Sequence, residues 1–161
     1  MTLDEFLALP ETKPASDFIN GRIIQKTMPS GKHSCLQNEL ANVINDTVES
    51  AKIACALMEL QCICGNNAIV PDISVFLWDH LPIDDNGEIA DEFSISPDWI
   101  IEILSPGQRY PKVIKKIQCC LQHGTGMGWL IDPSDRAVLI HRPQKEIQVI
   151  LLDEPKTTLP M

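Results

Sequence analysis

Apolar residues recur at helical spacing in two segments of the chain. In HSCLQNELANVINDTVES, residues 33–50, they stand at Leu36, Leu40, Val43, Ile44 and Val48. In KVIKKIQCCLQHG, residues 112–124, they stand at Val113, Ile117 and Leu121, and a glycine ends the segment. Residues three and four apart lie on the same side of a helix, so each segment predicts a helix with one buried face. A shorter helix is predicted over residues 3–9.

Other apolar runs predict β-strands. The segment SDFINGRIIQK, residues 16–26, places β-forming residues on both sides of Asn20-Gly21, the favoured two-residue hairpin turn. Strands are also predicted over 53–63, as one strand or as two with a bend, and over 69–78, where Pro71 marks a strand start or an edge. The segment 97–104 is apolar enough to be buried on both faces, and residues 127–152 supply the closing strands. This order predicts an α/β (α+β) fold in which helices flank a mixed central sheet.

Composition and charge narrow the class of protein. The chain has 161 residues, 44% of them hydrophobic and 22% charged, which suits a single domain over residues 1–161. A net charge of −9 argues against nucleic-acid binding by salt-driven contacts alone, but it does not exclude an enzyme that reaches phosphate through a metal ion. No apolar run approaches the roughly 20 residues that span a membrane. The acidic N-terminal residues do not form a secretory signal, so we expect a cytoplasmic protein without membrane contact.

The six cysteines allow two interpretations. The pairs Cys62-Ile-Cys64 and Cys119-Cys120, the latter followed by His123, suggest a thiol or zinc protein. Neither pair has the C-x-x-C hooks of a structural zinc site. The cysteines are therefore expected to be small, reduced core residues, and the zinc interpretation is the weaker alternative.

Three acids stand in the predicted central strands. Asp72 and Asp98 each follow a proline at a strand start, and Glu102 lies further along the second strand. Alternate side chains of a strand share a face, so Asp98 and Glu102 are expected on the same side. If the two strands are neighbours, Asp72 and Glu102 converge at one place on the sheet.

Converging acids in an apolar setting predict a metal site. Burial disfavours the charged form of a carboxylate, and a divalent cation such as Mg²⁺ or Mn²⁺ offsets that penalty. The ion would activate water for attack at phosphorus. Lys112, Lys115 and Lys116, one loop after Glu102, include candidates to hold the water or the phosphate. The alternative is structural: an aspartate that follows proline often caps a turn, and Glu102 could simply pair with a lysine or arginine.

An ordered set of segments resembles a known family. The segments are TLDEFLALPET, SDFINGRI, MPSGKH, VPDISVF, SPDWIIEILSP, KKIQCCLQHG, and WLIDP with RAVLIHRP after it. Together they cover nearly the whole chain and resemble the Uma-type restriction endonucleases, within the PD-(D/E)XK nuclease superfamily. The resemblance implies a restriction endonuclease-like fold, a mixed central sheet with a helix on each side.

The resemblance also implies site residues. Asp72 and Glu102 match the metal-binding acids, and Lys116 matches the catalytic lysine, which in this family lies on the helix because Leu104 fills its usual place. Asp98 matches a further motif position, as an additional ligand or a strand-start contact. Asp17 stands where the family usually has glutamate. His33 matches the family's histidine, and a capping or packing role is the favoured interpretation for it.

Three residues depart from the family's pattern. Lys112 replaces an aspartate, Cys120 replaces a tyrosine, and Gly128 replaces a bulky residue before Trp129. All three affect the helix beside the site or its packing, whereas Asp72, Glu102 and Lys116 match the family's pattern.

The resemblance leaves two functions open. The first is a Mg²⁺- or Mn²⁺-dependent endonuclease that hydrolyses phosphodiester bonds in DNA, without an organic cofactor. Superfamily members of this kind are often homodimers, which lets them cut two strands. The alternative is a catalytically inactive nuclease fold kept as a binding or regulatory module. The acidic charge and the three departures keep this alternative open.

Overall fold

The computed structural model describes residues 1–48 and 51–153. Its helices are α1 (Leu3–Leu7), α2 (Gly31–Val48) and α3 (Tyr110–Leu121), with a 3₁₀ turn at Trp78–His80. Its strands are β1 (Ser16–Ile19), β2 (Arg22–Gln25), β3 (Ala54–Met58), β4 (Cys62–Cys64), β5 (Asn67–Ile69), β6 (Ile73–Leu77), β7 (Trp99–Ile103), β8 (Met127–Asp132), β9 (Ala137–His141) and β10 (Gln148–Leu151). The predicted hairpin is β1–β2. The predicted end of the second helix, at residues 49 and 50, lies outside the described residues.

The main sheet has six strands in the order β10-β9-β8-β7-β6-β3. Strands β7 and β8 run parallel, and the other neighbours are antiparallel. Parallel neighbours need a crossover connection, and α3 provides it. The prediction of a mixed sheet flanked by helices is therefore confirmed. In the described ranges, no helix combines the length and the apolar character needed to cross a membrane.

The two faces of β7 supply two hydrophobic cores. Ile101 and Ile103 join the core that contains Ala41 and Ile44 of α2. Ile100 points to the other face and packs with Val113 and Ile117 of α3. Because side chains alternate along a strand, Glu102 lies on the same face as Ile100, beneath α3. All five residues of β7 are buried, as its sequence predicts.

The buried face of α2 differs from its apolar pattern. Val43, predicted to be buried, is 56% exposed. Ile44 is buried as predicted, and the other buried positions are His33, Gln37 and Ala41, at intervals of three or four. Two polar side chains therefore occupy the N-terminal half of this face, where α2 approaches the site.

A second, four-stranded sheet was not predicted. Its order is β2-β1-β5-β4, and all its pairs are antiparallel. The segment 69–78, predicted as one strand, is split: β5 ends at Ile69 in the small sheet, and β6 begins at Ile73 in the main sheet. The segment 53–63 is split in the same way between β3 and β4. The chain thus crosses between the sheets at residues 70–72, around Pro71, which has no N–H to offer either ladder.

The packing of α3 explains one departure from the family's pattern. A Cβ atom on Gly128 would lie 3.2 Å from Ile100 Cγ2 and closer still to Ile117 Cγ2. Glycine therefore lets α3 lie directly against β8.

Five of the six cysteines are buried, as expected of core residues, and Cys120 Sγ of α3 lies 3.4 Å from Cys64 Sγ of the small sheet.

Candidate active site

A cavity of about 660 Å³ opens where the two sheets meet beneath α3. Its wall contains five of the six residues that the sequence singles out, namely Asp17, His33, Asp72, Glu102 and Lys116. These residues come from β1, α2, the crossing segment, β7 and α3. Each of them is less than 10% exposed.

Asp72, which directly precedes β6, lies opposite Glu102 of the neighbouring strand β7, so the two acids converge as predicted. Ile73 is opposite Ile101 in the antiparallel pair β6–β7, so the residues flanking that pair also meet. The Asp72 N–H donates to Glu102 Oε2 over 2.9 Å, and the Ile103 N–H donates to Asp72 Oδ2 over 2.8 Å. One oxygen of each carboxylate is thus held by a backbone N–H of the other segment, which leaves Asp72 Oδ1 and Glu102 Oε1 for other partners.

Lys116 bridges the two sheets. Its Nζ lies 2.5 Å from Glu102 Oε1 and 2.9 Å from Asp17 Oδ2, and it donates to the Val70 carbonyl over 3.0 Å. Lys116 is buried and Lys115 is exposed, as expected from their positions around the helix. The ammonium of Lys116 therefore reaches the carboxylates from α3 in place of a lysine on the strand.

Asp17 and His33 support this arrangement. Asp17 accepts the Val70 N–H through Oδ1 over 2.7 Å, which leaves Oδ2 for Lys116. The ring of His33 contacts Asp72 Oδ2 through Nε2 at 3.2 Å. The backbone N–H of His33 donates to Ser30 Oγ over 3.2 Å, so the favoured capping role falls to Ser30 and not to His33. The histidine side chain therefore belongs to the site, and Ser30 supplies the cap.

Three further residues of the cavity wall, Lys26, Gln37 and Glu59, were not predicted from the sequence. Lys26 Nζ, just beyond β2, lies 3.1 Å from Asp72 Oδ1 and 2.7 Å from Glu59 Oε2. Gln37 Nε2 donates both to Glu59 Oε1 and to the Asp72 carbonyl, over 2.9 and 2.8 Å. Lys26 follows an exposed edge strand and Glu59 follows β3 in a turn, so no periodic pattern marks either residue.

Burial and charge set the protonation of the site. Burial raises the pKa of Glu102 to about 7, although Lys116 opposes the shift. Burial alone would also raise the pKa of Asp72, but His33, Lys26 and Lys116 hold it well below its usual range. Burial disfavours charge on Lys116, yet Asp17 and Glu102 raise its pKa, so Lys116 remains an ammonium that donates hydrogen bonds and cannot accept a proton.

The donor set fits a hard divalent cation. In the two ranges that the structure covers, no group of three or more His, Cys, Asp or Glu side chains is placed to hold a metal ion. Mg²⁺, however, typically takes only one or two carboxylates and keeps several waters. Four carboxylates, those of Asp17, Glu59, Asp72 and Glu102, share two ammonium groups here. The adjacent carboxylates of Asp72 and Glu102 suit such an ion.

Asp98 lies at the other end of β7 and does not join this cavity. Its Oδ2 accepts the Leu77 N–H over 2.7 Å, and His80 Nδ1 lies 2.8 Å from its Oδ1. Of the two interpretations of Asp98, the structure shows the strand-start contact.

The fold and this cluster define the class of protein. The main sheet is mixed and has a helix on each face, and the acids and Lys116 lie beneath one of these helices. This is a restriction endonuclease-like arrangement. The Uma2 family, described as "Putative restriction endonuclease", matches residues 3–161, so the chain belongs to that family. The resemblance found in the sequence is thereby confirmed.

One solved structure gives a close match. It is described as a "putative nuclease belonging to DUF820 from Anabaena variabilis ATCC 29413". The two chains are 56% identical with a TM-score of 0.95, and the match covers 100% of this chain and 89% of that chain. This likeness confirms the predicted fold. No curated protein matches the chain.

Proposed function

We propose that this protein is a Mg²⁺- or Mn²⁺-dependent endonuclease that hydrolyses phosphodiester bonds in cytoplasmic DNA. The observation that carries the proposal is the pairing of Asp72 with Glu102. Their backbone-held carboxylates line the same cavity, beside a buried lysine. Membership of a family described as restriction endonucleases supports the nuclease chemistry.

Asp72 and Glu102 would hold the divalent cation. Bound there, the cation supplies Lewis-acid activation of water and offsets negative charge at phosphorus. Backbone N–H groups fix the two carboxylates before any ligand arrives, so little reorganisation is needed at the moment of reaction. Neutralising Glu102 with a cation also removes the penalty that burial places on its charge.

Lys116 would orient the attacking water or a phosphate oxygen. Its raised pKa makes it a donor rather than a general base. Asp17 and the Val70 carbonyl hold the ammonium in place while one N–H remains near Glu102. Asp17 therefore acts as a positioning residue for Lys116.

The mouth of the cavity is suited to a phosphate backbone despite the net charge of −9. Lys13, Arg109 and Lys112 line it, and all three are exposed. None of them forms an ion pair with another residue in the described ranges. Lysine and arginine contacts to phosphate supply most of the sequence-independent affinity for DNA. The lysine that replaces the family's aspartate at position 112 thus adds positive charge where the substrate would enter.

Plasmid cleavage tests the proposal. Supercoiled DNA incubated with the protein and Mn²⁺ or Mg²⁺ should be nicked or linearised, and EDTA should stop the reaction. Glu102→Gln keeps the shape of the side chain and should abolish cleavage. Sedimentation of the active species tests the homodimer that cutting of both strands would favour. DNA that is bound but never cut, by a protein that does bind Mn²⁺, would favour the inactive binding module instead.

A further inference from the structure

The carboxylates of Asp72 and Glu102 make the same two kinds of contact, and in Asp72 one of these contacts is with Lys26. Each carboxylate gives one oxygen to a backbone N–H of the adjacent strand. Each gives its other oxygen to an ammonium: Glu102 Oε1 contacts Lys116, and Asp72 Oδ1 contacts Lys26. A cation that binds between the two acids must therefore compete with both lysines for Asp72 Oδ1 and Glu102 Oε1.

Each lysine also has a second carboxylate of its own. Lys116 is anchored by Asp17 at 2.9 Å, and Lys26 is anchored by Glu59 at 2.7 Å. The two anchors differ in burial, because the side chain of Asp17 is 5% exposed and that of Glu59 is 47% exposed. Lys116 is fixed inside the protein, whereas Lys26 stands between a buried acid and an acid at the surface.

The backbone conformation and the side-chain contacts of Glu59 indicate that this residue is fixed beside Lys26. Its φ of 53° lies in the left-handed region, which non-glycine residues seldom adopt. Gln37 donates to Glu59 and to the carbonyl of Asp72, which ties the two acids on either side of Lys26 together. Lys26 itself is only 12% exposed, although every residue of the preceding strand β2 is exposed.

We propose that Lys26 is a tethered counter-ion that holds Asp72 in the metal-free protein, gives up Asp72 Oδ1 to the divalent cation, and is retained by Glu59. The inference rests on the proposed function, because it assumes that the cation binds at Asp72 and Glu102. It assigns Lys26 and Glu59 as positioning residues that set the affinity of the site for the metal ion. Lys26 opposes metal binding, and Glu59 favours it by taking Lys26 away from Asp72.

Calorimetric titration of the metal-free protein with Mn²⁺ tests this assignment without any cleavage assay. Lys26→Met should tighten Mn²⁺ binding by at least about fivefold, the lower end of typical coupling between two bound species. Glu59→Gln should weaken it, because Lys26 then has only Asp72 to pair with. Lys13→Met is the matched control: it removes a lysine from the same cavity wall that does not contact Asp72, and it should leave the affinity near that of the wild type.

The double variant Lys26→Met with Glu59→Gln separates this mechanism from a general charge effect. If Glu59 acts through Lys26, the double variant should bind Mn²⁺ as tightly as Lys26→Met alone. If Glu59 attracts the ion directly, its loss should weaken binding equally in both backgrounds, and that result would overturn the assignment of Glu59. Circular dichroism of each variant checks the fold, and Glu59→Gln keeps the inference testable if Lys26→Met does not fold.

The outcomes for the inference and for the proposed function are distinct. Mn²⁺ binding by the wild type with the same affinity in Lys26→Met would overturn the counter-ion role and leave the endonuclease proposal standing. Binding by Lys26→Met but not by the wild type would support the role strongly. Absence of binding in both proteins would overturn the inference together with the metal dependence of the proposed function.

Discussion

The dipeptide Pro-Asp precedes each of two neighbouring strands, β6 and β7, but its aspartate lies in different surroundings at the two places. Asp72 and Asp98 perform one identical task, since each accepts the N–H of a residue at the end of the partner strand, Ile103 or Leu77. Because β6 and β7 are antiparallel, their starts lie at opposite ends of the pair. The Asp72 end lies beneath α3 and the small sheet, and the Asp98 end lies near the surface. The dipeptide therefore encodes a strand contact, and the topology around it decides whether a site forms.

The histidines beside the two aspartates show the same contrast. His33 contacts Asp72 with both side chains only 7% exposed. His80 contacts Asp98 with side chains that are 56% and 24% exposed. Similar pairs should therefore have unequal effects on stability and activity, and the following experiments test that inequality.

The largest difference is expected in catalysis. Asp72→Asn preserves the side-chain shape but removes the charge that would hold the cation, so cleavage should fall by about 10²-fold or more, the scale for a group at the reacting centre. Asp98→Asn should leave the cleavage rate unchanged. The measurement is plasmid nicking with Mn²⁺ at equal protein concentration. An equal loss in both variants would show that the shared strand contact, and not the site, limits the activity.

The second effect concerns stability. Lys116→Met leaves Asp17 and Glu102 buried without their common partner, and breaking a buried pair in this way costs about 3–5 kcal/mol of unfolding free energy. Adding Glu102→Gln should recover part of that loss, since it removes one of the stranded charges. Lys115→Met, on the exposed side of α3, should change stability by less than about 0.5 kcal/mol. Urea denaturation measures all three, and a wild-type midpoint for Lys116→Met would contradict the buried ion pairs.

The third effect is a pH dependence. The hydrogen bond to Asp72 raises the pKa of His33 above its ordinary value of 6.5, although burial opposes the shift. The folded state thus binds this proton more tightly than the unfolded state, and the resulting stabilisation is complete below pH 6.5 and lost as pH rises through the raised pKa. In EDTA, the stability of the wild type should fall over this window and that of His33→Gln should fall less. Parallel curves would show that His33 is not protonated on Asp72.

The smallest effect is expected at the exposed pair. His80→Ala should change stability by less than about 1 kcal/mol, since exposed ion pairs contribute little. Thermal unfolding at low and high salt is the measurement. A loss as large as that of Lys116→Met would reverse the ranking of the two ends of the sheet.

The sequence predicts those parts of the molecule that local patterns control. The hairpin follows from Asn20-Gly21, the helices follow from apolar spacing, and β7 follows from a run buried on both faces. The split of segment 69–78 between two sheets could not be predicted in this way, because both halves have the same β-forming character. Pro71 was the one local sign, and it indicated a strand start or edge without showing that another strand preceded it.

The acids Asp72 and Glu102 stand out by themselves, because carboxylates are rare in apolar strands. The resemblance was needed to single out Lys116, Asp17 and His33. Lys26 and Glu59 could not be found, because a lysine after an exposed strand and a glutamate in a turn have the usual composition of a surface. Lys26 contacts Asp72, and Glu59 contacts Lys26, only in the folded chain, where the end of β2 lies beside the cavity. Asp98 shows the converse, since its motif position does not bring it to the site.

Gly128 links a position outside the cavity to the geometry inside it. A methyl group there would press on Ile117, the residue next to Lys116 in sequence. Either the Ile117 side chain or the whole helix would have to shift, and a shift of the helix would move the ammonium away from Glu102. Gly128 thus allows the smallest separation between α3 and β8. Whether Lys116 reaches Glu102 from α3 depends on that separation, so Gly128 can control the position of Lys116 without lining the cavity.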